Sequence, residues 1–225
     1  MIFSADASLP ARHAKRSSFN PVLPAGHFRK GRPMMTAEKD MTSRVEDKAQ
    51  SDYDKLQEIG KSAYASIDEM VDALMCDYKR LEELTDERQA LVDDLETAED
   101  QDKAEAAKAL ASWDEVDGDE LTALKALAGD CKDEDEARER IQEDALSIEV
   151  RSGWTPLGDT LTADEFMILL SYGGPATRIV GELDEYGEPQ RAWLEAQDWF
   201  QPWTRYFNAD QDVLLAYARC FYFGE

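Results

Sequence analysis

Histidine is the side chain best suited to proton transfer near neutral pH, and this chain has two, His13 and His27. Both lie within residues 1–50, a stretch with four prolines and no sustained apolar periodicity, which predicts a disordered tail. The rest of the chain therefore offers no imidazole as a general base, triad member or zinc ligand. We expect no enzyme activity, no catalytic residues and no cofactor.

Carboxylates are abundant, but their spacing does not form a calcium loop. Five acids surround Gly118, the residue that would occupy the sixth loop position. That register places Trp113 at the first position and Leu124 at the twelfth, where acids are required. The turn Gly173-Gly174-Pro175 lacks the lysine of a phosphate loop. We therefore predict no metal site.

The cysteines Cys76, Cys131 and Cys220 are odd in number and widely separated. They favour partly buried, inert thiols and a reducing cytoplasm over a disulfide framework. No run approaches the ~18 apolar residues of a membrane helix, so we expect no membrane partner.

Net charge is the strongest compositional signal. The chain has 49 acidic and 25 basic residues, a net charge of -24. Residues 1–33 sum to +5, residues 52–149 to -21 and residues 150–225 to -7. Such a surplus opposes direct binding to nucleic acid and favours a basic protein surface as partner.

A long amphipathic helix is predicted over residues 66–98. Ser66-Ile67-Asp68-Glu69 has the form of a capping box, and an apolar seam with coiled-coil-like spacing runs through Leu74 and Leu81. Acidic side chains lie off this seam, some of them stacked four residues apart. They are either a solvated face or a contact surface for a basic partner; the candidate residues are Glu82, Glu83, Asp86, Glu87, Asp93 and Asp94.

The rest of the chain predicts an α+β fold. Residues 103–112, a segment closed by Gly129, and a helix opened by Asp133 complete an acidic helical hairpin or small bundle. From Leu146 the period changes to alternation, which predicts a small antiparallel sheet followed by a C-terminal helix from Asp210. Residues 162–165 are also compatible with a helix start instead of a strand.

Aromatic residues are dense between residues 193 and 223. They form either the core of a small domain or a recognition surface, since tryptophan and tyrosine are enriched at interface hot spots. Pro202 interrupts regular structure in Asp198–Trp203, which predicts a loop there. Trp199 and Trp203 are the candidate anchors for a partner.

Three regions are predicted: a disordered tail over 1–50, an acidic helical region over 51–145 and an aromatic-rich α+β domain over 146–225. An incorrectly assigned start codon is an alternative explanation for the tail, with the true beginning at Met34, Met35 or Met41.

Several short segments resemble a group of small accessory proteins of proteobacterial phages, prophages and integrative or mobile elements. The likeness covers about residues 66–96 and 133–225 and is best over the last 80. It is carried by Val150-Arg151-Ser152-Gly153-Trp154, Ile168-Leu169-Leu170, Gly173-Gly174-Pro175-Ala176, Gln197-Asp198-Trp199, Pro202-Trp203-Thr204, Leu214-Leu215-Ala216-Tyr217-Ala218-Arg219 and Phe221-Tyr222-Phe223-Gly224-Glu225.

The resemblance implies a context and no site residues. Accessory genes of mobile elements often encode small, acidic inhibitors of restriction or CRISPR defence. We expect a non-catalytic binding protein in the bacterial cytoplasm, with acidic contacts that mimic nucleic acid on a host defence complex. The alternative is a homo-oligomeric assembly or adaptor protein that dimerises through its long helix.

Overall fold

The computed structural model describes residues 35–224, with side chains described for Arg44 and residues 46–224. A compact unit begins at Arg44. Within the described range the chain forms six helices and five strands, which confirms the predicted α+β class. The helices are α1 (Met35–Leu74), α2 (Tyr78–Thr97), α3 (Lys103–Val116), α4 (Gly118–Ala128), α5 (Glu134–Asp144) and α6 (Gln211–Ala218). The strands are β1 (Ser147–Arg151), β2 (Glu165–Ser171), β3 (Ala176–Leu183), β4 (Pro189–Gln197) and β5 (Thr204–Arg205).

The strands form one antiparallel sheet in the order β1-β2-β3-β4-β5, so each strand pairs with its neighbour in sequence. Alternation sets the register: Ile168 lies opposite Ile179, which lies opposite Leu194, and all three are fully buried. A tight turn joins β3 to β4. There the Asp184 carboxylate accepts backbone N–H bonds from Tyr186 and Glu188 and closes the turn.

One face of the sheet, the inner face, is covered by helices over β2, β3 and β4, whereas Ile148 and Val150 of β1 are 43% and 49% exposed on it. The inner side chains of β2, β3 and β4 share a core with α1, α5 and α6, to which Ile67, Ile141, Leu214 and Tyr217 contribute. Each of these four side chains is at most 1% exposed. Because α1 and α5 belong to the predicted helical region, the predicted boundary between residues 145 and 146 does not separate two cores.

The predicted tail over residues 1–50 is wrong for its last part, because α1 begins at Met35. After Pro33 the sequence turns to helix-forming Ala, Glu, Lys and Met, and no further proline interrupts it before Pro156. Residues 1–34, including His13 and His27, lie outside the described residues. The start at Met34, Met35 or Met41 remains a prediction.

The single helix predicted over 66–98 is also wrong, because the chain breaks between Leu74 and Tyr78. Ser66 lies inside α1 and caps nothing; the cap of α2 is Asp77, whose carboxylate accepts the N–H of Arg80 at 3.0 Å. The apolar period continues across the break because both helices bury an apolar stripe, but against different partners. Leu74 packs in the core beneath the sheet, whereas Leu84 packs outside that core.

Candidate partner-binding surface

Helix α2 carries the six acidic residues predicted to bind a partner, and all six are exposed. At 3.6 residues per turn, Glu82, Asp86 and Asp93 form an outer row on the side opposite the buried Leu84. A flanking row lies about a quarter turn away and consists of Glu83, Glu87 and Asp94. We call the two rows together the acidic surface. From Glu82 to Asp94 it extends about 18 Å along the helix.

Helices α3 and α4 hold α2 in place through its opposite side. Leu84 is fully buried, and Arg80 donates two hydrogen bonds to Glu120 of α4, at 3.0 and 3.2 Å. Arg88 donates to Asp114 of α3 at 2.9 Å. The arginines of α2 are therefore engaged between the helices and do not neutralise the outer row.

The six carboxylates differ in their local partners. Glu83 lies 3.8 Å from Lys79 and 3.7 Å from Arg80. Glu87 accepts a hydrogen bond from the Trp113 indole at 3.3 Å, and Asp93 accepts one from Gln89 at 2.8 Å. Among the described residues the other three acids form no hydrogen bond or ion pair through their side chains: Glu82, Asp86 and Asp94.

Charge in this helical unit is strongly one-sided. Residues 77–130 contain 18 acidic and 6 basic residues, a net charge of -12. Half of the chain's net charge of -24 is thus concentrated on α2, α3, α4 and their connections. Twelve of these 18 acidic residues lie within α2, α3 or α4, so helical geometry sets the positions of most of them.

Replacing Arg80 with methionine should loosen α2 from α4 in a pH-dependent way. The hydrogen bond from Arg80 lowers the pKa of Glu120, so this pair stabilises the fold above the ordinary carboxyl pKa, and the contribution is lost as pH falls through the lowered value. The stability difference between wild type and R80M should be constant from pH 7 to about pH 5 and shrink below about pH 4. Urea unfolding followed by circular dichroism measures it, and a difference that grows on acidification would contradict this assignment.

The two predicted tryptophan anchors occupy different environments. Trp199 is 63% exposed in the loop between β4 and β5 and lies so close to Gly174 that a Cβ there would come within 2.4 Å of its indole nitrogen. The neighbouring Phe200 is fully exposed. Trp203 is half-buried beneath the guanidinium of Arg178, whose Cζ lies 4.1 Å from the ring centroid. Trp199 is therefore accessible to a partner, and Trp203 is largely engaged within the protein.

The aromatic residues near the C-terminus thus divide between the two predicted roles. Tyr206, Tyr217 and Phe223 are buried in the core, whereas Phe207 and Tyr222 are exposed. Neither the core interpretation nor the recognition interpretation describes the whole set.

Helix α1 holds the Trp199 loop through polar contacts. Lys55 forms an ion pair with Asp198, and Gln201 donates to the Asp52 carboxylate at 3.0 Å. From Lys55 to the last residue of α1, Leu74, the helix extends about 28 Å further, and α2 begins only after that. The structure therefore does not place Trp199 beside the start of the acidic surface.

Removing the Asp198 carboxylate should release this loop. The hydrogen bond from Lys55 lowers the pKa of Asp198, which shows that the pair favours the charged form. With D198N we expect roughly fivefold faster hydrogen exchange of the amides of residues 199–201 and Trp203, in line with the modest strength of a surface ion pair. The control D54N changes the net charge by the same amount. Asp54 lies in α1 and accepts a hydrogen bond from Gln50 of the same helix. Equal exchange in D198N and wild type would refute the anchoring role.

Another set of exposed apolar residues was missed from the sequence. Trp154 and Leu157 are fully exposed and Leu161 is 64% exposed, all in the connection between β1 and β2. Bulky apolar residues placed between Gly, Pro and Asp could have indicated an exposed apolar loop. Hydrophobic periodicity could not, because it applies to helices and strands and not to a connecting loop.

Burial affects the cysteines and one tyrosine of the core. Cys76, Cys131 and Cys220 are free, and all three are buried rather than partly buried as predicted. Burial raises the pKa of Cys76 and Cys220. Burial also raises the pKa of Tyr217, whose hydroxyl donates to Asp144 at 2.7 Å. Among the described side chains, Arg44 and residues 46–224, no three His, Cys, Asp or Glu converge as metal ligands. In the same range no helix is both long and apolar enough to span a bilayer.

Comparison with known proteins identifies no relative, so a proposal of function has to be argued from the geometry. No protein-family model, no curated protein and no solved structure matches the chain significantly.

Proposed function

We propose that this is a non-catalytic binding protein whose acidic surface occupies a basic groove that its partner uses for nucleic acid. The observation that carries the proposal is the outer row of α2. Its carboxylates are exposed and ordered by a helix, while the arginines of α2 are bound to α3 and α4. A cationic partner would meet fixed negative charge on this side.

The charge density of the acidic surface is within a factor of about two of a duplex. Six carboxylates over about 18 Å give one charge per ~3 Å, whereas duplex DNA has one per ~1.7 Å. The acids of α3 and α4 add to the same unit. Electrostatic attraction of this kind mainly accelerates association and makes binding sensitive to salt.

Apolar anchors would supply much of the affinity. Trp199 and Phe200 are exposed beside each other, with ring centroids 6.4 Å apart, and aromatic residues of this kind dominate interface energetics. Because this pair lies away from the start of α2, a partner that engages both regions must be large. A multi-domain complex with a nucleic-acid channel meets this requirement.

The resemblance to accessory proteins of phages and mobile elements gives the proposal its biological context. We infer that the partner is a host defence complex in the bacterial cytoplasm, of the restriction or CRISPR type. The protein would prevent target DNA from entering and would perform no reaction itself.

Inhibition of DNA cleavage tests this proposal. Purified restriction nucleases and CRISPR effectors would be incubated with the protein before labelled target DNA is added. We expect inhibition that is competitive with DNA and that weakens steeply between about 50 and 200 mM salt. Inhibition that does not respond to DNA concentration would contradict occupation of the nucleic-acid groove.

A further inference from the structure

The face of the sheet opposite the core, which we call the outer face, is not covered by any helix of the described residues. Burial alternates along β2 up to Leu169 and along β3 and β4, and the less buried positions lie on the side of the sheet opposite the core. The apolar side chains at these positions do not belong to the core cluster. They are Met167, Leu169, Val180 and Trp193.

Strand register orders the outer face into three rows across the sheet. The central row consists of Glu149, Met167, Val180 and Trp193, which is mainly apolar. One flanking row is charged and consists of Arg151, Glu165, Glu182 and Arg191. The other combines both characters and consists of Ser147, Leu169, Arg178, Glu195 and Arg205.

Charges on the outer face cancel. Four arginines and four glutamates lie on it, so its net charge is zero in a chain of net charge -24. The ion pairs are internal: Arg178 lies 2.7 Å from Glu195, and Arg191 lies 3.2 Å from Glu182. An acidic or basic partner would gain little from such a surface.

We propose that the outer face binds the outer face of a second copy of this chain. A symmetric dimer requires a self-complementary patch, and a neutral patch with both signs and an apolar centre satisfies this requirement. The acidic surface cannot, because each copy would present negative charge to the other. The alternative seam on the helices is unsuitable, since Ile67, Val71 and Leu74 are buried in the chain's own core.

The size of the outer face is sufficient for a dimer of moderate affinity. The five strands contain 31 residues, which at ~3.3 Å per residue and ~4.8 Å between strands cover roughly 500 Å² as a flat footprint. The side chains and the adjoining segment with Trp203 and Phe207 increase that area. The total for two copies then reaches the lower range of stable interfaces, about 1,200 Å². A concavity of 330 Å³ lined by Met167, Val180 and Trp193 offers space for a side chain of the second copy.

The dimer inference does not rest on the proposed function, and the two can be distinguished by their dependence on salt. Two copies of net charge -24 repel each other through regions outside the neutral contact. Salt screens that repulsion, since the Debye length falls from ~10 Å at 0.1 M to ~3 Å at 1 M. Dimerisation should therefore strengthen as salt rises, whereas binding of a basic partner should weaken.

Analytical ultracentrifugation of the full chain tests the inference. At 0.5 M NaCl we expect a monomer–dimer equilibrium in the micromolar range for the wild type. V180E places an unpaired carboxylate at the centre of the contact and should raise the dissociation constant about a hundredfold or more. The control V116E adds the same charge at an exposed position of α3 and should dimerise like the wild type.

Two results would overturn the proposal. One is a wild-type monomer at all concentrations up to several hundred micromolar and at every salt concentration. The other is a dimer that V180E leaves intact. Unfolding of V180E would not obscure the outcome, because the wild-type concentration series and its salt dependence stand independently of any variant.

Discussion

Replacing Glu82, Asp86 and Asp93 with Gln, Asn and Asn should weaken the inhibited complex about a hundredfold. These three carboxylates form the outer row, and solvent-exposed charge pairs that contribute about 1 kcal/mol each would together account for about a hundredfold in affinity. The substitutions raise the net charge from -24 to -21. They also remove the repulsion between Glu82 and Asp86, which lie four residues apart on the same side of the helix. The fold should therefore be as stable as the wild type or slightly more stable.

A matched control separates the acidic surface from net charge. Asp135, Glu139 and Glu143 lie at successive turns of α5, are exposed, and form no ion pair within the described part of the chain. D135N/E139Q/E143Q also brings the net charge to -21. The inhibition constant should rise for the α2 variant and remain within about threefold of wild type for the α5 variant. Equal losses in both would mean that net charge alone, and not the surface on α2, determines binding.

The second large effect is expected at Gly181 in the middle of β3. A Cβ at this position would come within 2.1 Å of the Arg191 carbonyl oxygen and 2.4 Å of the Phe166 ring. The carbonyl belongs to the neighbouring strand, so it cannot move away without disturbing the pairing of β3 with β4. G181A should therefore lower the free energy of unfolding by about 3 kcal/mol.

Gly118 is the appropriate comparison for Gly181. It is the first residue of α4, and a Cβ there would meet Asp114 at an ordinary 3.7 Å. G118A should be neutral or stabilising by up to about 1 kcal/mol, because alanine favours helix. Urea unfolding of both variants measures the difference. A G181A protein as stable as G118A would show that the sheet does not have the tight approach seen here.

Local signals predicted most elements of the fold. Asp133 and Asp210 cap α5 and α6 through bonds to the N–H groups of Glu136 and Asp212. Gly129 ends α4 with a positive φ of 58°. Alternation, short apolar runs and turn residues predicted β1 to β4, whereas the two-residue β5 was not predicted. These features depend on neighbours in sequence, which is why a sequence can report them.

Features that depend on distant contacts were not predictable. The apolar seam gave no sign that α1 and α2 are separate, because periodicity shows that a stripe is buried but not against what. For the same reason the sequence could not assign Trp199 to the surface and Tyr217 to the core. The six acidic residues were correctly placed on the exposed side of a helix, since they lie off the apolar stripe. Their role in binding remains a prediction.

Hydrogen exchange of the protein bound to the nuclease or effector that it inhibits is the most direct test of the binding mode. Slowed exchange should appear in α2, over residues 78–97, and in residues 198–203, and it should diminish as salt rises. Complex formation that leaves the amides of α2 unchanged, with protection confined to other elements, would contradict the claim that ordered carboxylates of α2 form the contact.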